Sequence, residues 1–321
     1  MLYVSTKNKS ETSTAYKTLH TLNAPDGGMF VPLCVPEFTG DELTELYKLS
    51  SSQIIAQILN LFFTQKITCE SIESAIGKNP FKLQMLSQRT VVAEIWDTDG
   101  YQYEQLVDAL YGLLCDGSEP LPTAPQWARV AIEIAVLFAV FAKLSSGGIN
   151  NSDIVVESDD FTHPMAVWYA RKMGLPIGCI ICACNSCCDT WELINNGKIA
   201  ASSGMQQLVY EILGVEQVRE GPYQLEDEML PILTQGMSAA VVSEARIDTV
   251  LGSVYRTNSY IADPSTAVSF GALQDHRART GENHSTLIIS RKCPLPYVAR
   301  ISSATGCSQE KLKSMIRIAE E

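Results

Sequence analysis

Two short apolar runs, Ile154-Val155-Val156 and Ile177 to Ala183, flank a helical stretch from Met165 to Met173. Gly174-Leu175-Pro176 forms the turn into the second run. Runs this short fit strands buried on both faces. The intervening helix is the crossover that joins parallel neighbours, so the segment reads as a βαβ unit. No other feature constrains the chain as much. It implies an α/β fold, with a mostly parallel sheet and flanking helices.

The rest of the pattern agrees. Asp26-Gly27-Gly28 makes a tight turn before Met29-Phe30-Val31-Pro32. Thr39-Gly40-Asp41-Glu42 has capping-box spacing and opens a helix through Leu49. Helical spacing continues from Ser50 to Phe63, and a short helix runs from Glu70 to Ile76. A strand from Val91 to Trp96 leads through a loop to a helix from Gln105 to Leu114. Residues 116–125, with Gly117, Pro120, Pro122 and Pro125, form a connector to a buried helix from Gln126 to Leu144. Further helices are predicted near Met205 to Leu213, Ala239 to Tyr255 and Ser265 to Arg279. A strand over Thr286 to Ser290 and a C-terminal helix opening near Ser308 complete the pattern. The chain divides into an N-terminal region over 1–90 and an α/β domain over 91–321.

Composition excludes several classes. A net charge of −12 speaks against nucleic acid and anionic membrane surfaces as partners. The most apolar stretch, Val130 to Leu144, is shorter than the roughly 20 residues of a membrane span. It also carries Glu133 and Lys143. Ten cysteines, with no secretion signal in the first residues, point to reduced thiols and a cytoplasmic protein.

Four pieces of the chain, in order, resemble the threonine synthase family. The first is Tyr3-Val4-Ser5-Thr6-Lys7 with Asn23-Ala24-Pro25-Asp26-Gly27-Gly28-Met29-Phe30-Val31-Pro32. The second is the strand–loop–helix frame from Glu94 to Leu114. The third joins Trp127-Ala128-Arg129, Ile154-Val155-Val156, and Ala170 to Ile177 followed by Ile181 to Asn185. The fourth is Ile261-Ala262-Asp263-Pro264-Ser265-Thr266-Ala267-Val268 with Ile288-Ile289-Ser290. The resemblance implies the large domain of the tryptophan-synthase-β-like pyridoxal-phosphate fold beside a reduced small domain.

The departures fall on the chemistry. Where the family carries its Schiff-base lysine, after Phe and before Asp, this sequence reads Tyr103-Glu104-Gln105, so the lysine position is Glu104. A carboxylate supplies no amine for the cofactor aldehyde. Lys82 follows a phenylalanine but lies before the strand, and its ordinary reading is a surface lysine. The family's Gly-Asn-Phe-Gly-Asn phosphate loop is matched by Glu157-Ser158-Asp159-Asp160-Phe161-Thr162. Only Phe161 is kept, and three carboxylates face a phosphate's place; Ser158 or Asp159 also suits a helix cap. The family's Ser-Thr-Ala-His-Pro becomes Ser290-Arg291-Lys292-Cys293-Pro294, which puts Arg291 at the threonine. Residues 115–125 stand where the family has a complete α/β segment. Its loss would expose apolar surface and favour self-association.

The expected vestigial pocket is therefore Tyr103, Glu104, Asp159, Asp160, Phe161, Thr162, Ser290 and Arg291. The leading expectation is a threonine synthase-like pseudoenzyme without catalytic residues or cofactor, which binds a protein partner or a small polar ligand. One alternative is an active pyridoxal-phosphate lyase, converting O-phosphohomoserine to threonine through an unexpected lysine. Another is a cysteine-based metal or redox protein built on Cys179, Cys182, Cys184, Cys187 and Cys188. One residue between the two Cys-x-x-Cys pairs is too few for a structural zinc site, and residues three apart on a strand point to opposite faces. No P-loop, dinucleotide fingerprint or nucleophile elbow occurs in the sequence.

Overall fold

The computed structural model describes residues 1–96, 102–158, 161–186, 188–200, 203–219 and 221–318. The N-terminal region opens with β1 (Leu2–Ser5), β2 (Thr12–Thr14), α1 (Ala15–Leu19) and β3 (Phe30–Pro32). The strands form a small antiparallel sheet in the order β2-β1-β3. Three helices follow: α2 (Gly40–Leu46), α3 (Ser51–Phe62) and α4 (Cys69–Ile76). The Thr39 capping box forms as expected, but α2 stops at Leu46 rather than Leu49, because Ser50 already caps α3.

The main body then runs β4 (Lys82–Ser87), β5 (Thr90–Glu94), α5 (Tyr103–Leu114), α6 (Gln126–Ser146), β6 (Ser152–Glu157), α7 (Thr162–Lys172) and β7 (Ile177–Cys184). Next come α8 (Asp189–Asn196), β8 (Lys198–Ile199), α9 (Ser203–Leu213), β9 (Tyr223–Gln224), α10 (Leu230–Leu233) and β10 (Met237–Val241). The chain closes with α11 (Glu244–Asn258), α12 (Pro264–Thr280), β11 (Thr286–Ser290), α13 (Val298–Thr305) and α14 (Gln309–Ile318). Six strands make the central sheet in the order β10-β7-β6-β11-β5-β4. Every pair is parallel except β4 with β5.

Alternation along the strands divides the core. Val91, Ala93, Ile154, Val156, Ile180, Cys182, Leu287 and Ile289 face the side packed with α3, α5, α6 and α7. Val92, Val155, Ile181, Ala183 and Ile288 face α11, α12, α13 and α14. α6 runs through the first layer against α3, α5 and α7, which is why it reads apolar nearly all round. Among the described residues, no helix is long and apolar enough to cross a membrane.

The helix expected from Ala239 to Tyr255 is two elements. Met237–Val241 pairs in parallel with β7 as the sheet edge, and Ser243 then starts α11. Small residues carry no strong period, and neighbouring β7 decides the outcome. Lys82 lies on β4, a strand the sequence reading missed. Residues 115–125 carry no helix or strand, so α5 and α6 are joined by the connector alone.

Candidate functional site

Ligands of parallel α/β sheets bind beyond the carboxyl ends of the strands. Here β5, β11 and β6 end side by side, with Ser290 opposite Glu94 in the register and Glu157 closing β6. Beyond these ends lies a cleft of about 570 Å³. Its lining comes from the start of α5 (Gln102, Tyr103, Glu104, Gln105), from Glu157 and His163, and from the segment after β11 (Arg291, Lys292, Cys293, Pro296, Tyr297).

A buried polar knot forms the floor. Glu133 projects from the middle of α6 and is 2% exposed. Its carboxylate accepts from the Tyr103 hydroxyl at 3.0 Å and meets His163 Nδ1 at 2.7 Å. Arg291, also buried, donates to its other oxygen and lies over the Tyr103 ring, 5.2 Å from the centroid. Burial alone would push the Glu133 carboxyl up; Arg291 and His163 outweigh it and hold the group at about 2. Burial, reinforced by Glu133, raises the Tyr103 phenol well above its ordinary value.

Two ion pairs line the rim. Glu104 is bound by Arg129 Nη2 at 2.9 and 2.8 Å. Lys292 Nζ lies 3.1 Å from Glu157 Oε1. Burial pushes the Glu157 carboxyl up, but Lys292 and Arg291 bring it below its usual range. Burial lowers Lys292, and Glu157 more than restores it, so the ammonium titrates above its ordinary value. With the Glu104 side chain 60% exposed, we expect Glu104→Ala to change unfolding free energy by less than about 1 kcal/mol in urea titration.

Of the residues expected in the pocket, Tyr103, Glu104 and Arg291 line the cleft. Ser290 does not: it is buried, bonded to Thr266 and Trp96. Phe161 and Thr162 are buried at the start of α7. Asp159 and Asp160 lie outside the described residues. The expected Ser158 cap is not made, because that hydroxyl donates to Val156 O and Phe161 holds the N-cap position of α7. Sequence reading missed Glu133, His163 and Lys292 as site residues, and it placed Glu157 only as one of three carboxylates facing a phosphate's place. Glu133 carried a signal, a lone carboxylate inside an apolar helix, which a buried partner must balance.

The cysteines separate. Cys182 faces the α3–α7 layer and Cys179 the opposite one; burial pushes both thiols up to about 12. Cys188 is lowered to about 6, chiefly by its hydrogen bond with Cys184, against the effect of burial. Cys187 lies outside the described residues. Among the described residues, no group of three or more His, Cys, Asp or Glu side chains is placed to hold a metal ion.

A sequence profile described as threonine synthase N terminus matches residues 2–79. Threonine synthase-like 1 of Pongo abelii is 23% identical over 213 residues, covering 56% of this chain and 28% of that protein. The human threonine synthase-like 1 is 25% identical over 175 residues, 44% of this chain and 23% of that protein. This chain is a relative of the threonine synthases. The match thus spans about a quarter of the length of these longer relatives. PLP-bound threonine synthase from Brucella melitensis superposes with a TM-score of 0.83 at 15% identity, covering 96% of this chain and 92% of that one. The yeast threonine synthase gives 0.78 at 16% identity, covering 97% and 91%. The fold is therefore the tryptophan-synthase-β-like fold of pyridoxal-phosphate enzymes.

Whether this threonine synthase relative suits pyridoxal phosphate is a question about its cleft. Lys292 is the only amine among the described lining residues, and Glu157 holds it in the protonated form, which is not nucleophilic. The position expected to carry the lysine holds Glu104, both of whose oxygens accept from the single nitrogen Nη2 of Arg129. These residues do not fit a covalently held cofactor.

Proposed function

We propose that this threonine synthase-like protein uses its cleft for noncovalent binding of a small polar ligand, and that the lyase chemistry associated with the family is absent. The observation that carries this reading is Glu104, committed to Arg129 at the start of α5. The Glu133–Arg291 pair under the cleft supports it. A buried charge pair of this kind keeps neighbouring elements in register, and each of its charges is balanced by the other without a cofactor. Binding and regulation remain available to such a scaffold, because function resides in the site rather than in the fold.

The test is phosphate release from O-phosphohomoserine with pyridoxal phosphate supplied. No release above the protein-free rate is expected. Release that disappears on replacing Lys292 with glutamine would make this protein an active lyase working through an unexpected lysine.

A further inference from the structure

We propose that Cys184 and Cys188 form a thiol–disulfide exchange site, in which Cys188 attacks a small-molecule disulfide such as glutathione disulfide and Cys184 then closes an intramolecular bridge. The site lies at the end of β7 and does not depend on what the cleft binds. Cys184 is the last residue of β7 and is fully buried. Its carbonyl accepts from Val242 N at 2.8 Å, which fixes the strand end beside β10. The chain then turns back, with Cys188 N donating to Ser186 O at 2.8 Å, and Cys188 becomes the N-cap residue of α8. Ser158 marks where the sulfur arrives. Its N–H donates to Ala183 O at 3.0 Å, and Cys188 Sγ lies 3.6 Å from its carbonyl oxygen. The turn thus returns Cys188 to the flank of the strand it left, where its thiol is hydrogen-bonded to Cys184. Two thiols in contact are the arrangement a disulfide requires.

The two sulfurs differ as exchange chemistry needs. Cys188 is partly exposed, whereas Cys184 is closed to solvent, so an external disulfide reaches only Cys188. The Cys184 hydrogen bond outweighs burial and, with the backbone N–H groups of Trp191 and Thr190, brings the Cys188 thiol down to about 6. It is therefore a thiolate at neutral pH, the form that attacks disulfides. Cys182, on the same face of β7, is pushed up to about 12 by burial and stays protonated. In the first step the Cys188 thiolate bonds to one glutathione sulfur and displaces the other, which takes a proton from solvent. In the second step the Cys184 sulfur bonds to Cys188, and the second glutathione leaves with the Cys184 proton. Two protein thiols are oxidised by two electrons, and one glutathione disulfide is reduced to two thiols.

The test exposes the fully reduced, folded protein to glutathione disulfide at neutral pH, followed by acid quench, alkylation and peptide mass mapping without reduction. The peptide holding both residues is expected two hydrogens lighter than its reduced form, with the bridge placed between Cys184 and Cys188 and no glutathione attached. Cys184→Ser should leave glutathione trapped on Cys188, and Cys188→Ser should leave Cys184 reduced. Alkylation of Cys188 by iodoacetamide should rise with pH through about 6, and its midpoint should move upward in Cys184→Ser. A midpoint at the ordinary 9.0 in the unaltered protein would overturn Cys188 as the attacking sulfur. A bridge through Cys179, Cys182 or Cys187, glutathione retained on Cys188 of the unaltered protein, or no reaction at either residue would each overturn the pair.

Discussion

Replacing Glu133 with glutamine is expected to cost about 3–5 kcal/mol of folding free energy, the usual penalty for removing one partner of a buried charge pair. The substitution keeps the shape of the side chain, so little of the loss is packing. What it removes is the charge opposite Arg291, leaving a guanidinium that is 4% exposed with no counter-ion at hydrogen-bond distance among the described residues. It also weakens the acceptor that Tyr103 and His163 share. Urea titration at neutral pH measures the effect.

The pH dependence follows from the same group. Glu133 titrates near 2 in the folded chain, below its ordinary value of 4.5. A depressed carboxyl stabilises the fold above its unfolded value and loses that contribution as pH falls through the folded one. The gap between the unaltered protein and Glu133→Gln should therefore be full at neutral pH and shrink between about pH 4.5 and 2. A gap that stays constant over this window would remove the ionised carboxylate from the account of the cleft floor.

The second large effect is expected at Gly174, in the turn between α7 and β7. Its φ is +109°, and a Cβ there would lie 2.5 Å from the Phe38 carbonyl oxygen. Phe38 is held in place, since its N–H donates to Met173 O at 2.9 Å. Gly174→Ala combines an unfavourable backbone region with a clash against main chain that cannot swing aside, and about 2–3 kcal/mol of destabilisation is expected. Gly281, at the end of α12, is a control. Its φ is +73° and a Cβ at that position would meet nothing within 4 Å, so Gly281→Ala should cost only the left-handed backbone penalty, about 1 kcal/mol. Equal costs at the two sites would mean that the Phe38 contact does not constrain the turn.

Strands buried on both faces were the most legible elements. Thr286–Ser290 is an unbroken buried run, and its expected limits coincide with β11. β4 escaped because Lys82-Leu83-Gln84-Met85-Leu86-Ser87 mixes polar and apolar residues at the sheet edge, with its side chains half-buried or exposed. In the cleft, the strand–loop–helix frame located Tyr103 and Glu104, and the segment after β11 located Arg291. Local pattern could not supply the rest. Glu133 reaches Tyr103 and His163 through packing of α6 against α5 and α7. Lys292 and Glu157 stand 135 positions apart and meet only because β6 and β11 are neighbours in the sheet. Reading Ser290 as a pocket residue failed for a related reason: its hydroxyl turns to Thr266 and Trp96, away from the cleft.

The central claim is that the cleft of this threonine synthase relative holds no Schiff base. The direct measurement is an absorbance spectrum of the purified protein with added pyridoxal phosphate, followed by borohydride and peptide mass mapping. The account predicts no reducible imine band and no fixed label on any lysine. A reducible band mapped to one lysine, with Lys292 the first to check as the amine lining the cleft among the described residues, would contradict it.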